Sequence, residues 1–144
     1  MTTTLQEGME FDFVYEVPAN KTVPHLYPEF DEGRQMPDVF ATGYMVGLFE
    51  FACIKFINAH IDWPRQQSVG IHINVSHTAA TPPGFTVTVK GRLKKIDGRK
   101  LTFSLEAHDG ADAISTGIHD RFIIDAEKFN VVVDRKKASL LREP

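Results

Sequence analysis

DVFATGYMVGLFEFACIKFINAHI, residues 38–61, decides the fold. It is rich in Leu, Met, Ala and Phe, residues a long helix accommodates well. Its apolar side chains fall nearly all round a helical wheel, not along one stripe. The spacing therefore predicts one long helix, Asp38 to Ile61, buried on most of its sides. Asp62, Trp63 and Pro64 stop it. Glu50, Lys55 and two glycines interrupt the apolar run, which makes it a poor membrane span.

Upstream of this helix, Phe11, Phe13 and Tyr15 alternate with other side chains, so Met9 to Val17 reads as a strand. Ala19 to Pro37 carries Pro24, Pro28 and Pro37 and reads as irregular, a lid or binding loop over residues 19–37. Downstream the period changes to two. Val69, Ile71, Ile73 and Val75 form one face of a strand, and the loop TAATPPG follows. Phe85, Val87, Val89 and Leu93 mark the next strand. Asp97-Gly98 is a hairpin signal, and Leu101, Phe103, Leu105 and Ala107 continue beyond it. A last strand runs from Ala113 to Asp125, with a polar tail after it. One strand, a loop, one apolar helix and four meandering strands make an α+β layout, a single domain over residues 1–144 with the sheet around the helix. So apolar a helix requires either that the sheet curl fully around it or that a second subunit cover it.

The 144 residues are 42% hydrophobic and 24% charged, with a formal net charge of -3. That balance supplies no basic footprint for nucleic acid or an anionic membrane. Lys90, Arg92, Lys94, Lys95, Arg99 and Lys100 gather around one turn; a solvated hairpin is the favoured reading, a phosphate-binding patch the other. Cys53 is the single cysteine, so no disulfide forms within the chain, and no zinc spacing is present. The start MTTTLQEG lacks a basic and apolar leader, and the expected location is the reducing cytoplasm.

Three residues do not belong to a pure core. Glu50 has Val46, Gly47, Cys53 and Ile54 as its helical neighbours, and none can pair with it. It needs a partner from another element, or else water. His77 continues the face of Ile73 and Val75, so the period aims its imidazole at the helix. A Glu50–His77 pair would satisfy both groups and is an acid–base unit. Thr42 stands near the helix start, where a hydroxyl caps the helix or, with backbone N–H groups, holds an oxyanion. Eight residues separate Thr42 from Glu50, about 12 Å of rise. Either Thr42 precedes the helix proper at a bend eased by Gly43, or the site draws on two subunits. No phosphate-binding glycine loop, no G-x-S-x-G elbow and no metal spacing accompanies them.

FATGYMVGLFEFAC (Phe40 to Cys53), SHTAATPPGFTVTV (Ser76 to Val89) and AHDGADAISTGIHDR (Ala107 to Arg121) closely resemble the fluoroacetyl-CoA thioesterases of the hot-dog-fold superfamily. KTVPHLYPEF (Lys21 to Phe30) and EKFN (Glu127 to Asn130) are similar as well, so the resemblance spans nearly the whole chain. It implies a curved antiparallel sheet around a central helix, a homodimer with sites near the interface, and hydrolysis of a short acyl-CoA without metal or cofactor. It also implies a catalytic set of Thr42, Glu50 and His77, with Met36, Phe40, Gly43 and Arg121 against the substrate. For Arg121 the residue-level reading favours an outward strand position. The chain departs from the pattern at Met36, where the family carries an aromatic residue before the proline. A pliable Met there bears on selectivity for the fluorinated substrate, not on hydrolysis. Two rivals are weighed. An enoyl-CoA hydratase of the same fold needs an Asp–His pair ahead of the helix, which is not seen. A non-catalytic acyl-CoA-binding domain would not need Glu50 with His77, and as a sensor it would carry an output domain.

Overall fold

The computed structural model describes residues 3–141. Strand β1 is Glu10–Glu16, followed by two single-turn helices, α1 (Val23–Leu26) and α2 (Asp31–Arg34). The main helix α3 is Thr42–Asn58. Strands β2 (Gln66–Val75), β3 (Thr86–Asp97), β4 (Lys100–His108) and β5 (Ala113–Asp125) follow, and α4 (Ala126–Leu141) ends the described chain. The five strands form one antiparallel sheet in the order β1-β3-β4-β5-β2. The last three consecutive strands meander as expected. β2 does not join that meander at β3; it crosses to the far side and becomes an edge against β5.

The sheet curves over α3. Met45, Phe49, Ala52, Cys53 and Ile57 pack with Val87, Val89, Leu93, Leu101, Phe103, Ile114 and Ile123, all essentially without solvent contact. Phe11 stacks on Phe56 at 4.5 Å, and both meet Phe103 edge-on. Burial of these side chains contributes on the order of 1.5–3 kcal/mol each. The helix is not enclosed on every side, since Phe51 is 62% exposed on its outer face.

Three expectations are corrected. The helix runs from Thr42 to Asn58, not from Asp38 to Ile61. The N–H groups of Phe40 and Ala41 are committed to the carbonyls of Thr81 and Lys21, so helical bonding begins only with Met45 N–H on Ala41. The polar tail is helix α4, started by Asp125, whose carboxylate accepts the Lys128 N–H. In β2 a bulge between Gly70 and His72 breaks the alternation. Ile73 and Val75 pack on the core, but Ile71 is half exposed, and before the bulge it is Ser68 and Gly70 that share the helix face with Arg121.

The basic cluster lies on the β3–β4 hairpin with every member exposed; Lys100 is 3.8 Å from Asp120 and Arg92 3.8 Å from Glu10.

Candidate active site

Two clusters of polar side chains flank α3. The first lies at its N-terminus. Thr42 is the first helical residue, with Ala41 as the cap, so its hydroxyl is free to leave the helix. It meets His77 Nδ1 at 2.6 Å. The N–H groups of Thr42, Gly43 and Tyr44 precede the first intrahelical bond and carry the positive end of the helix dipole. The surrounding hollow of about 310 Å³ is lined by Val23, Val39, Phe40, Thr42 and His77 with residues 78–80.

His77 sits just past β2, and its loop is tied down from below. Buried Thr81 donates to Asp109 at 2.8 Å and accepts the Phe40 N–H through its carbonyl. The Asp109 carboxylate also takes the N–H groups of Ala111 and Asp112. Burial pushes the Asp109 pKa up, yet these hydrogen bonds outweigh it and hold the group below its ordinary value. Burial lowers the His77 pKa, opposed by the polar backbone at Ala79, so the imidazole is neutral at neutral pH. Its Nε2 is buried and meets no hydrogen-bonding partner among the described residues.

The second cluster lies about two turns along the helix. Glu50 Oε2 accepts from Arg121 Nη1 at 3.2 Å, with side chains 41% and 3% exposed. Arg121 is thus a buried residue of the helix side, not the outward one that its strand position suggested. A carboxylate without a helical neighbour drew its partner from β5. Arg121 Nε donates to Ser68 Oγ and Nη2 to the Ser68 carbonyl, each at 2.8 Å. Its Nη1 also reaches His119 Nε2 at 3.1 Å, so four of its five N–H bonds are engaged. Burial pulls the guanidinium below its ordinary pKa, and the bond to Glu50 works against that. Burial pushes the neighbouring Cys53 thiol up to about 12, which leaves it protonated and excludes it as a nucleophile.

Within one chain, therefore, Glu50 and His77 are not a pair. Each has a different partner, and the helix rise between the two clusters is about 12 Å. Phe40 lines the hollow with Thr42, and Leu26 lies 3.3 Å from where a Gly43 Cβ would be. Met36 does not line the hollow; it follows α2 on the surface, 51% exposed. A second, apolar cavity of about 270 Å³ lies on the β1 flank among Phe13, Tyr15, Tyr44 and Phe51, and it shares Phe40 with the first hollow.

The sequence reading passed over Gly70, Ser68 and His119. Gly70 has the clearest signal, a glycine inside a strand, which often marks close approach of another group. A Cβ there would lie 2.8 Å from Glu50 Oε2. Among the described residues no helix is long and apolar enough to cross a membrane, and no group of three His, Cys, Asp or Glu could hold a metal ion.

Residues 22–127 match the family model described as fluoroacetyl-CoA-specific thioesterase. A fluoroacetyl-CoA thioesterase from Streptantibioticus cattleyicolor is 47% identical over 136 residues, 94% of this chain and 97% of that protein. A phenylalanine-to-alanine variant of a fluoroacetyl-CoA-specific thioesterase, solved with fluoroacetate and CoA, superposes with a TM-score of 0.84. It is 48% identical, and the match covers 87% of this chain and 99% of that one. A thioesterase superfamily member from Thermus thermophilus gives 0.84 at 27% identity, covering 96% and 97%.

Proposed function

Since the chain belongs to the fluoroacetyl-CoA-specific thioesterase family and is a thioester hydrolase, we propose that it cleaves a short acyl-CoA in a site shared by two copies of the chain. The observation that carries the reading is the Thr42–His77 pair beside the free N–H groups of α3, with His77 Nε2 buried and unpartnered. The thioester carbonyl sits at those N–H groups, which stabilise the oxyanion. The Thr42 hydroxyl orients the carbonyl. Glu50 of the partner subunit takes a proton from water as its oxygen attacks the acyl carbon. The C–S bond then breaks, and the proton passes through His77 to the thiolate, giving a carboxylic acid and free CoA.

The sheet edges support a dimer. The β1 edge is guarded by Glu10, Asp12 and Glu16, but β2, QQSVGIHINV, carries no carboxylate, lysine or proline over its ten residues. An unguarded edge of that length pairs with another strand. Antiparallel pairing with its own copy, centred between Ile73 and Asn74, sets His77, just past the end of one β2, beside Gly70 in the middle of the other, next to Glu50. Free, buried Cys53 fits the reducing cytoplasm as the site of action.

Complementation tests the arrangement. Glu50→Gln and His77→Gln should each abolish thiol release from acetyl-CoA. Mixed and refolded together, they should recover about a quarter of wild-type activity, because half the dimers are heterodimers with one intact site of two. No recovery, or a fully active monomer by light scattering, overturns the shared site.

On substrate choice, we propose that the chain discriminates fluoroacetyl-CoA from acetyl-CoA less sharply than its relatives. Exchanging hydrogen for fluorine changes size little, and a hydrophobic pocket gains only about 1–3 kcal/mol even from a whole methylene. The exposed Met36 gives the lid no rigid aromatic wall. The ratio of the two specificity constants should rise in Met36→Phe; an unchanged ratio makes the lid position irrelevant.

A further inference from the structure

Behind the Glu50–Arg121 pair stands a histidine that the proposed chemistry does not use. His119 is 2% exposed on β5, two residues before Arg121 and so on the same face of the sheet. Its Nδ1 lies 2.8 Å from the carbonyl oxygen of His72, and its Nε2 lies 3.1 Å from Arg121 Nη1. A carbonyl only accepts, so Nδ1 carries the hydrogen. A guanidinium only donates, so Nε2 presents a lone pair. Both contacts demand the same species, the neutral Nδ1–H imidazole.

We propose that His119, in this tautomer, is a positioning residue: it fixes Arg121 Nη1 and, through it, the carboxylate of Glu50. The inference rests on Glu50 being the base of the proposed reaction. Ser68 anchors the Nε and Nη2 side of the guanidinium, and the two Nη1 hydrogens are divided between Glu50 and His119. Without the His119 lone pair, one Nη1 hydrogen is buried and unsatisfied. The guanidinium then tilts to find an acceptor and carries the carboxylate with it. An imidazolium would be worse, since it sets a donor and a like charge against Nη1.

The groups around His119 favour the neutral form. Burial lowers its pKa most, and Arg121 from β5 adds to that; the His72 carbonyl of β2, Glu50 of α3 and Asp120 of β5 oppose it. Cys53 of α3, also near this cluster, is an uncharged thiol. β4 presents Phe103 opposite His119 in the ladder.

Three substitutions separate positioning from mere bulk. His119→Leu removes both polar contacts. His119→Asn mimics Nδ1 but is too short to reach Arg121. His119→Gln places an amide oxygen where Nε2 was. For acetyl-CoA, kcat should fall about tenfold to a hundredfold in the Leu and Asn variants, with KM little changed, as for a misplacement of about 1 Å. The Gln variant should recover most of that loss. Nitrogen-15 spectra supply a readout independent of catalysis. The wild type should show His119 as the Nδ1–H tautomer at neutral pH, with slowly exchanging Arg121 Nη signals that persist in Gln and collapse in Leu. An Nε2–H tautomer, or Leu retaining both kcat and the Arg121 signals, overturns the proposal. If Glu50→Gln is itself fully active, the reading of Glu50 as base fails, and the Arg121 signals alone decide the positioning.

Discussion

Gly70→Ala puts the geometry of the glutamate to the test. An added Cβ would lie 2.8 Å from Glu50 Oε2, 3.2 Å from His119 Cε1 and 3.3 Å from Arg121 Nη1. His119 and Arg121 are buried and tethered to β2, so neither retreats easily. Glu50 is 41% exposed and sits at the end of a flexible side chain, so it is the group that yields. Ordinary contact begins at 3.4 Å, which requires Oε2 to withdraw 3.4 − 2.8 = 0.6 Å. Taken entirely along the ion pair, that stretches 3.2 Å to 3.8 Å, beyond hydrogen-bonding range. A displacement of this order costs about tenfold to a hundredfold in turnover. The fold should hardly register it. A partly exposed ion pair contributes about 0–1 kcal/mol, and alanine in a strand returns about 0.5–1 kcal/mol relative to glycine. Thiol release from acetyl-CoA and urea unfolding on the same samples read both quantities. A variant with kcat within about twofold of wild type would refute the claim that turnover depends on where this contact holds Glu50. A stability loss above about 3 kcal/mol would refute the claim that the glutamate is the part that moves.

Other outcomes follow from the same contacts. His77 and His119 both have lowered pKa values, burial being the main cause, so the unfolded chain binds protons more readily than the folded one. Their contribution to stability is complete above the ordinary value of 6.5 and is lost as pH falls through the lower folded values; urea midpoints should drop on acidification, less steeply in His77→Gln. Asp109→Asn weakens the bonds to Thr81, Ala111 and Asp112 and should lower stability by about 1–3 kcal/mol in urea titration. Because the Asp109 pKa is lowered, its own contribution is present above 3.8 and lost as pH falls through the lower folded value. Gly91→Ala drives a methyl into the Phe11 ring and should cost about 1–3 kcal/mol in thermal or urea unfolding, with kcat unchanged in the folded fraction.

The sequence by itself determined the local and periodic features. The apolar content of residues 38–61 specified a central helix, the two-residue period specified strands, and Asp97-Gly98 specified the β3–β4 hairpin, where Gly98 has φ 60°. It also singled out Glu50 as a carboxylate needing either a remote partner or water, and it warned that Thr42 and Glu50 stand too far apart to serve one group on one helix. The helix α4 was legible too, in the Asp125 cap and the run after it, but its charged residues read as a tail. Only the tertiary structure decided which partner each polar group found. Arg121, not His77, meets Glu50 because β2 lies beside β5, a pairing between segments some fifty residues apart that no local pattern encodes. The facing of β2 was equally hidden. One extra residue at the bulge reverses the alternation, so Gly70 turns toward Glu50 and Ile71 toward solvent. Strand periodicity carries orientation only from one uninterrupted residue to the next, and a single break in the ladder resets it.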